Sequence, residues 1–188
     1  MDDLVRGGDG RERCPWAART PEYERYHDEE WGRPVRDADG LYERLCLEAF
    51  QSGLSWLTIL RKRERFRAAF AGFEIARVAA FGPDDVERLM GDAGIVRNRA
   101  KIEAAIANAR AAAEHGDLSG LVWSHAPDAD SRPAPRTLAE IPALTPESTA
   151  LAKALKRSRF RFVGPTTAYA LMQACGLVND HLEGCCAR

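Results

Sequence analysis

Residues 145–176 read TPESTALAKALKRSRFRFVGPTTAYALMQACG, and the fold class turns on this stretch. Thr145, Pro146 and Glu147 have the character of a helix start, and the helix they open is expected to run to about Lys156. A second helix is expected after Gly164 and Pro165, stopping at Gly176. Between them, Phe162-Val163-Gly164-Pro165-Thr166-Thr167-Ala168 links a basic helix to an apolar one. A tight turn that enters a helix N-terminus presents free backbone amides, which suit a phosphate.

Helical signals continue in the N-terminal direction. Gly94 precedes a long alanine-rich helix expected over about Val96–Glu114, and Pro83 and Asp84 open a short one ending near Gly91. From about Ser55 a helix carries Leu57, Leu60, Phe66 and Phe70. Gly53 separates it from Leu41 to about Gln51, whose Leu41, Leu45, Cys46, Ala49 and Phe50 recur at helical spacing and which Asp39 is placed to cap. Thr20 and Pro21 form a cap and first-turn pair for a helix to about Asp28. No period-two run bounded by turns is present, so no sheet is expected. His125–Arg136, rich in proline and aspartate, reads as a surface loop. The expected class is all-α with about eight helices. Residues 1–12, polar and charged, are expected to form a disordered tail before one unit over 13–188, with two helical lobes and the active site between them as its possible division.

With 188 residues, 45% hydrophobic and 29% charged, the chain has the balance of a globular protein. A net charge of -1 points to no partner, so a nucleic-acid binder of this composition must collect positive charge locally. Three clusters could supply it: Lys153, Lys156, Arg157, Arg159 and Arg161; Arg97, Arg99 and Lys101; and Arg61, Lys62, Arg63, Arg65 and Arg67. Charge runs of this kind also serve as plain solvated faces. No segment is long and apolar enough to span a bilayer and no secretory signal opens the chain, so a cytoplasmic location and no membrane partner are expected.

The cysteines are Cys14, Cys46, Cys175, Cys185 and Cys186, an odd number that argues against a disulfide framework. Cys14 and His27 lie near one end, His181 and Cys185 near the other. The i, i+4 spacing of the last pair would put both side chains on one face of a helical turn. Two thiolates and two imidazoles complete a tetrahedral shell for a structural zinc. Simple burial of the cysteines is the competing reading, and spacing does not choose between Cys185 and Cys186.

Trp16, Tyr23, Tyr26 and Trp31 crowd the first segment and Trp56 follows. They read either as core or as a stacking platform, where one base on one ring contributes roughly 1–3 kcal/mol. Glu48 lies in an otherwise apolar helix, and a carboxylate there is costly without a partner or a task. Gln51, Ser52, Ser55 and Trp56 follow closely and could complete a polar pocket.

Together these segments resemble one family. RCPW (residues 13–16), YERYHDEEWG (23–32), CLEAFQSGLSW (46–56), DAGIVRNRAK (92–101) and FRFVGPTTAYALMQACGLVNDHLEGCC (160–186) are similar to signatures of the 3-methyladenine DNA glycosylase I family, within the helix-hairpin-helix DNA glycosylase superfamily. The resemblance covers nearly the whole chain from Arg13.

The resemblance implies base-excision repair: a monofunctional glycosylase that flips out and hydrolytically releases 3-methyladenine from double-stranded DNA containing alkylated adenine, as a monomer with no obligate protein partner. It implies that Cys14, His27, His181 and Cys185 hold one structural Zn2+. Glu48 matches the carboxylate that contacts the extruded base and is the catalytic candidate. Tyr26 and Trp56 match pocket aromatics, with Tyr23, Trp16 and Trp31 as further walls. Gly164, Pro165, Thr166 and Thr167 look like the DNA-backbone anchor. The hairpin has one glycine where many superfamily members have Gly-x-Gly. Asp180 adjoins His181 and comes early for the catalytic aspartate of other members, so it is given no such role. No lysine stands where bifunctional members carry a nucleophile, which implies hydrolysis without strand cleavage.

Overall fold

The structure, a computed structural model, describes residues 3–128 and 132–188. Among them are nine α-helices and one minimal hairpin. In chain order these are β1 Val5–Arg6, β2 Glu12–Arg13, α1 Pro21–Glu29, α2 Ala38–Gln51, α3 Trp56–Ala69, α4 Ile75–Ala79, α5 Pro83–Gly91, α6 Arg99–His115, α7 Leu118–Trp123, α8 Pro146–Arg157 and α9 Pro165–Ala174. No helix is long and apolar enough to cross a membrane.

The expectation of a disordered segment over residues 1–12 is corrected for residues 3–12. β1 and β2 pair antiparallel, Val5 opposite Arg13 and Arg6 opposite Glu12, which is also the one departure from an expectation of no sheet. The cause is Arg13. Its guanidinium is 2% exposed, donates to both oxygens of Asp9 at 2.7 Å, and reaches Asp28 of α1 at 2.8 Å. A sequence too polar for a core is ordered here by one buried, fully paired cation.

Most helix starts follow their caps. Thr20, Ser55 and Thr145 accept from the third residue on, at 3.2, 3.3 and 3.2 Å. Two starts differ from expectation. α2 begins at Ala38 because Asp37, not Asp39, accepts from Gly40 N at 2.6 Å; Asp39 instead accepts from Ile75 N at 2.8 Å, at the entry to α4. α6 begins at Arg99 rather than Val96, where Asn98 accepts from Lys101 N at 3.2 Å. The short α4 and α7 are additional; α4 spans five residues and α7 six, too few for a periodicity to show.

The main core gathers Leu41, Tyr42, Leu45, Cys46, Leu47 and Phe50 of α2 with side chains of α3, α6, α8 and α9. From Leu41 to Phe50 α2 is thus enclosed on nearly every side, and Glu43 and Glu48 are carried inside with its apolar residues. Lys101 of α6 closes its C-terminal end, donating to the carbonyls of Phe50 at 2.9 Å and Ser52 at 2.6 Å. A second, smaller core of Cys14, Leu182, Cys185 and Ala187 joins the two ends of the chain. The join is tight at Gly176: its φ is +72°, and a Cβ there would stand 2.7 Å from the backbone of residues 32–34.

Candidate active site and metal centre

α2 places Glu48 at the floor of a cavity of about 260 Å³. That is near the small end of ligand pockets, roughly 300–1,000 Å³, and suits a single ring system. α1 supplies Tyr23 and Tyr26, α3 opens with Trp56, and Trp16 and Trp31 flank α1. Gln51 closes the end of α2, Ala170 and Gln173 come from α9, and Arg19 stands at the cavity edge. The rings contact one another: Tyr26–Trp56 at 5.4 Å between centroids, Trp16–Tyr23 at 5.8 Å and Trp16–Trp31 at 5.1 Å. Tyr23 Oη accepts from Leu57 N at 3.1 Å, tying α1 to the first turn of α3.

Glu48 is 7% exposed, and among the described residues its carboxyl has no hydrogen-bond or ion-pair partner. Burial alone pushes it up to about 8. The Tyr26 hydroxyl is pushed well above its ordinary value, first by burial and then by the charge of Glu48. Trp56 Nε1 is buried with no partner. The cavity therefore holds an unpaired acid and unspent hydrogen-bonding capacity among electron-rich rings. That is the environment for a planar, cationic, hydrogen-bonding ligand.

A second polar cluster lies behind Trp16 and Trp31. Cys14, His27 and Cys185 bring one ligand atom each within 4.8 Å of one another, all buried, and could hold a metal ion. Cys185 Sγ lies 3.3 Å from His27 Nε2, and Cys14 Sγ accepts from Leu182 N at 3.4 Å. The Cys14 thiol, then His27, pull Cys185 down, and the same contact pushes Cys14 up, which favours Cys185 as the thiolate of the pair. His27 Nδ1 is 2.7 Å from Asp28 Oδ1, the carboxylate–histidine contact that fixes a ligating imidazole. Cys186 lies outside the cluster, its amide donating to Glu12 O at 2.8 Å.

His181 departs from expectation in two ways. Residues 179–188 are irregular, so His181 and Cys185 do not share a helical turn; chain reversal, not i, i+4 spacing, brings Cys185 to Cys14. His181 also lies outside the three-residue cluster. Its ring nevertheless stands 4.8 Å from that of His27. Nδ1 is 3.0 Å from Asn179 Oδ1, while Nε2 is buried without a partner. An imidazole with one nitrogen satisfied and a bare buried lone pair on the other fits a metal ligand. The cluster and the cavity share walls: Trp16 is 5.1 Å from His27 and Trp31 is 4.6 Å from His181.

At the other end of α9, Gly164 is the N-cap, Pro165 the first residue, and Thr166 is exposed on the first turn. Beside it Phe162 is exposed and takes a left-handed φ of +55°. The other basic clusters are largely spent on structure. Arg61 pairs with Glu22, Arg63 bidentately with Glu30, and Arg67 with Glu43 and Glu64. Arg99 pairs with Glu87, and Lys101 is committed to backbone carbonyls. Asp180 is likewise occupied, accepting from Tyr169, Gln173 and Arg132. Ser55 caps α3 and neither it nor Ser52 lines the cavity. Ala170, Gln173 and Arg19 carry no sequence signal for the site, since only folding brings α9 and the 17–19 turn beside α2.

This arrangement has close relatives. The family profile described as methyladenine glycosylase matches residues 16–188. The chain is 51% identical to DNA-3-methyladenine glycosylase 1 of Escherichia coli (strain K12), over 93% of this chain and 96% of that protein. It is 44% identical to DNA-3-methyladenine glycosylase of Haemophilus influenzae (strain ATCC 51907 / DSM 11121 / KW20 / Rd), over 92% and 96%. A crystal structure of 3-methyladenine DNA glycosylase I superposes with a TM-score of 0.87 at 49% identity, covering 94% of this chain and 99% of that one. A variant of such an enzyme in complex with 3-methyladenine gives 0.84 at 34% identity, covering 93% and 96%. A buried acid walled by aromatic rings, on helices that superpose on these enzymes along nearly their whole length, leaves one assignment: the chain belongs to the methyladenine glycosylase family.

Proposed function

We propose that the protein is a DNA-repair enzyme that extrudes N3-methylated adenine from double-stranded DNA and hydrolyses its N-glycosidic bond. The observation that carries this reading is the unpaired, buried carboxyl of Glu48 inside a ring-lined cavity of single-base size.

Methylation at N3 makes the adenine of DNA cationic, and it departs as a neutral base. The bond is therefore already weakened, and the protein's task is to find, extrude and hold the base. Extrusion costs a few kcal/mol, less for a damaged pair. Tyr26 and Trp56 stack on the electron-poor ring. Glu48 accepts hydrogen bonds from the base edge and, once ionised, stabilises positive charge developing on the sugar. Its elevated pKa means that the arriving cation displaces a proton from it. Water attacks the anomeric carbon. Among the described residues no lysine lines the cavity, which supports hydrolysis without strand cleavage. Gly164, Pro165, Thr166 and Thr167 present the amide-bearing start of α9 to a backbone phosphate.

The metal corner is assigned to one structural zinc held by Cys14, His27, Cys185 and His181 Nε2. The donor set and the orphaned buried nitrogen support four-coordinate zinc, which supplies rigidity rather than reactivity. Trp16 and Trp31 then stand on fixed imidazoles and hold the cavity wall. Residues 13–188 act as one glycosylase unit, with the 3–12 hairpin as an appendage to its metal corner.

The test is direct. Protein incubated with methylated double-stranded DNA should release free 3-methyladenine, identified by chromatography, without nicking the strand. DNA binding without any base release would instead favour a non-enzymatic DNA-binding module, which has no use for Glu48.

A further inference from the structure

Asp180 is the most heavily hydrogen-bonded side chain near the cavity that the mechanism leaves without a role. It is 3% exposed. Oδ2 accepts from Tyr169 Oη at 2.5 Å and from Gln173 Nε2 at 2.9 Å, and Oδ1 accepts from Arg132 Nη2 at 3.0 Å. Arg132 Nη2 also donates to Tyr169 Oη at 2.8 Å, so the tyrosine hydroxyl can turn its proton only toward the carboxylate. The network reaches the base cavity through Gln173, which lines it.

An amide has one face that donates and one that accepts. A carboxylate beside an arginine only accepts, so Asp180 takes the donor face of Gln173. Asp180 takes one of the two N–H donors of Nε2, and the carbonyl oxygen Oε1, without a partner among the described residues, is left to accept from a base. Once Glu48 is ionised, the cavity has two acceptors of different origin, the Glu48 carboxylate from α2 and Gln173 Oε1 from α9. A 6-amino purine carries two N–H donors on its exocyclic nitrogen and can satisfy two acceptors. A 6-oxo purine would bring a third acceptor against them and leave buried lone pairs unmatched, the kind of mismatch that binding sites reject most strongly.

We propose that Gln173, locked by Asp180, is a specificity-determining residue that selects 6-amino over 6-oxo alkylpurines. Asp180 is a positioning residue that acts through Gln173. This rests on the base-excision reading above and adds to it how the purine edge is read.

The experiment has two arms. In the first, free 3-methyladenine and free 3-methylguanine are titrated into the unaltered protein above about pH 8, where Glu48 is ionised, and followed by tryptophan fluorescence. The protein should favour the 6-amino base; equal affinities overturn the proposal whatever any variant does. In the second, both bases are counted after release from methylated DNA by the wild type, Gln173→Met and Asp180→Asn. Gln173→Met should lower the ratio of 3-methyladenine to 3-methylguanine about tenfold, one neutral hydrogen bond's worth, with 3-methylguanine release unchanged or raised. Asp180→Asn should move the ratio in the same direction, because its amide can take the carbonyl of Gln173 and turn the donor face into the cavity. A purely structural role predicts that both bases fall together with the ratio unmoved, and that result overturns the proposal. If the wild type releases no 3-methyladenine at all, the base-excision reading itself fails, an outcome separate from an unmoved ratio.

Discussion

The base cavity and the metal corner are neighbours separated by Trp16 and Trp31, yet their polar groups are treated in opposite ways. In the metal corner almost every buried donor and acceptor is matched: Asp28 serves both His27 and Arg13, Asn179 serves His181, and the one orphan there among the described residues, His181 Nε2, adjoins the Cys14, His27 and Cys185 cluster. In the cavity Glu48 has no partner among the described residues, and burial pushes it up to about 8. Matched polar groups stabilise; an unmatched acid destabilises the free protein and reserves its interaction for a ligand. One region holds shape and the other holds capacity for binding.

The contrast can be broken most severely at Glu48. Glu48→Ala should lower release of 3-methyladenine by about 100- to 1,000-fold, the range for removing a charge-stabilising group, with the helical circular-dichroism signal unchanged. Unchanged excision would refute the cavity assignment. Removal of Cys14 tests the other side. Cys14→Ser should leave less than one zinc per chain by elemental analysis and destabilise the fold by several kcal/mol in denaturant titration, while Cys186→Ser retains full zinc. Tyr26→Ala, which deletes one stacking face, should reduce excision by about 5- to 150-fold with zinc content unaffected.

The acid's elevated pKa sharpens the comparison. In the unfolded chain Glu48 ionises near its ordinary 4.5, whereas in the fold it stays protonated until about 8. Folding stability attributable to this group is fully present below about 4.5 and is lost as pH rises to about 8. Glu48→Gln should therefore be more stable than wild type at pH 8, on the order of a few kcal/mol, with the advantage vanishing near pH 4. The same group should give kcat/KM a rise through about pH 8 that is absent in Glu48→Gln. The smallest effect is expected at the basic helix α3. Arg61→Ala breaks an exposed pair with Glu22 and should change stability by less than about 1 kcal/mol and excision hardly at all.

Much of the framework was legible in the sequence because it is local. Thr20, Ser55 and Thr145 mark helix starts through a bond to a residue three positions on, and such bonds need no tertiary contact. The α2 start is misplaced because Asp39, two residues on from Asp37, offers a second cap, and the α6 start because Gly94 reads as the break while Asn98 supplies the cap. The hairpin over 3–13 escaped because its stabilising partner, Asp28, lies in a different element. The aromatic residues singled out from the sequence do line one cavity, but the sequence alone left core packing equally open. The basic runs suggested three local clusters of positive charge, yet the fold pairs several of their members with acids of the same chain.

The sequence by itself determined an all-α chain, the chemistry available to it, and a carboxylate stranded on an apolar helix. Only the tertiary structure decided that this helix is enclosed, and enclosure is what withholds water and partners from Glu48. Only chain reversal after α9 carries Cys185 to Cys14 and Asp180 to Gln173. Hydrogen bonds and metal ligation act over a few ångströms of space, whatever the distance along the chain, so no spacing rule could have announced them.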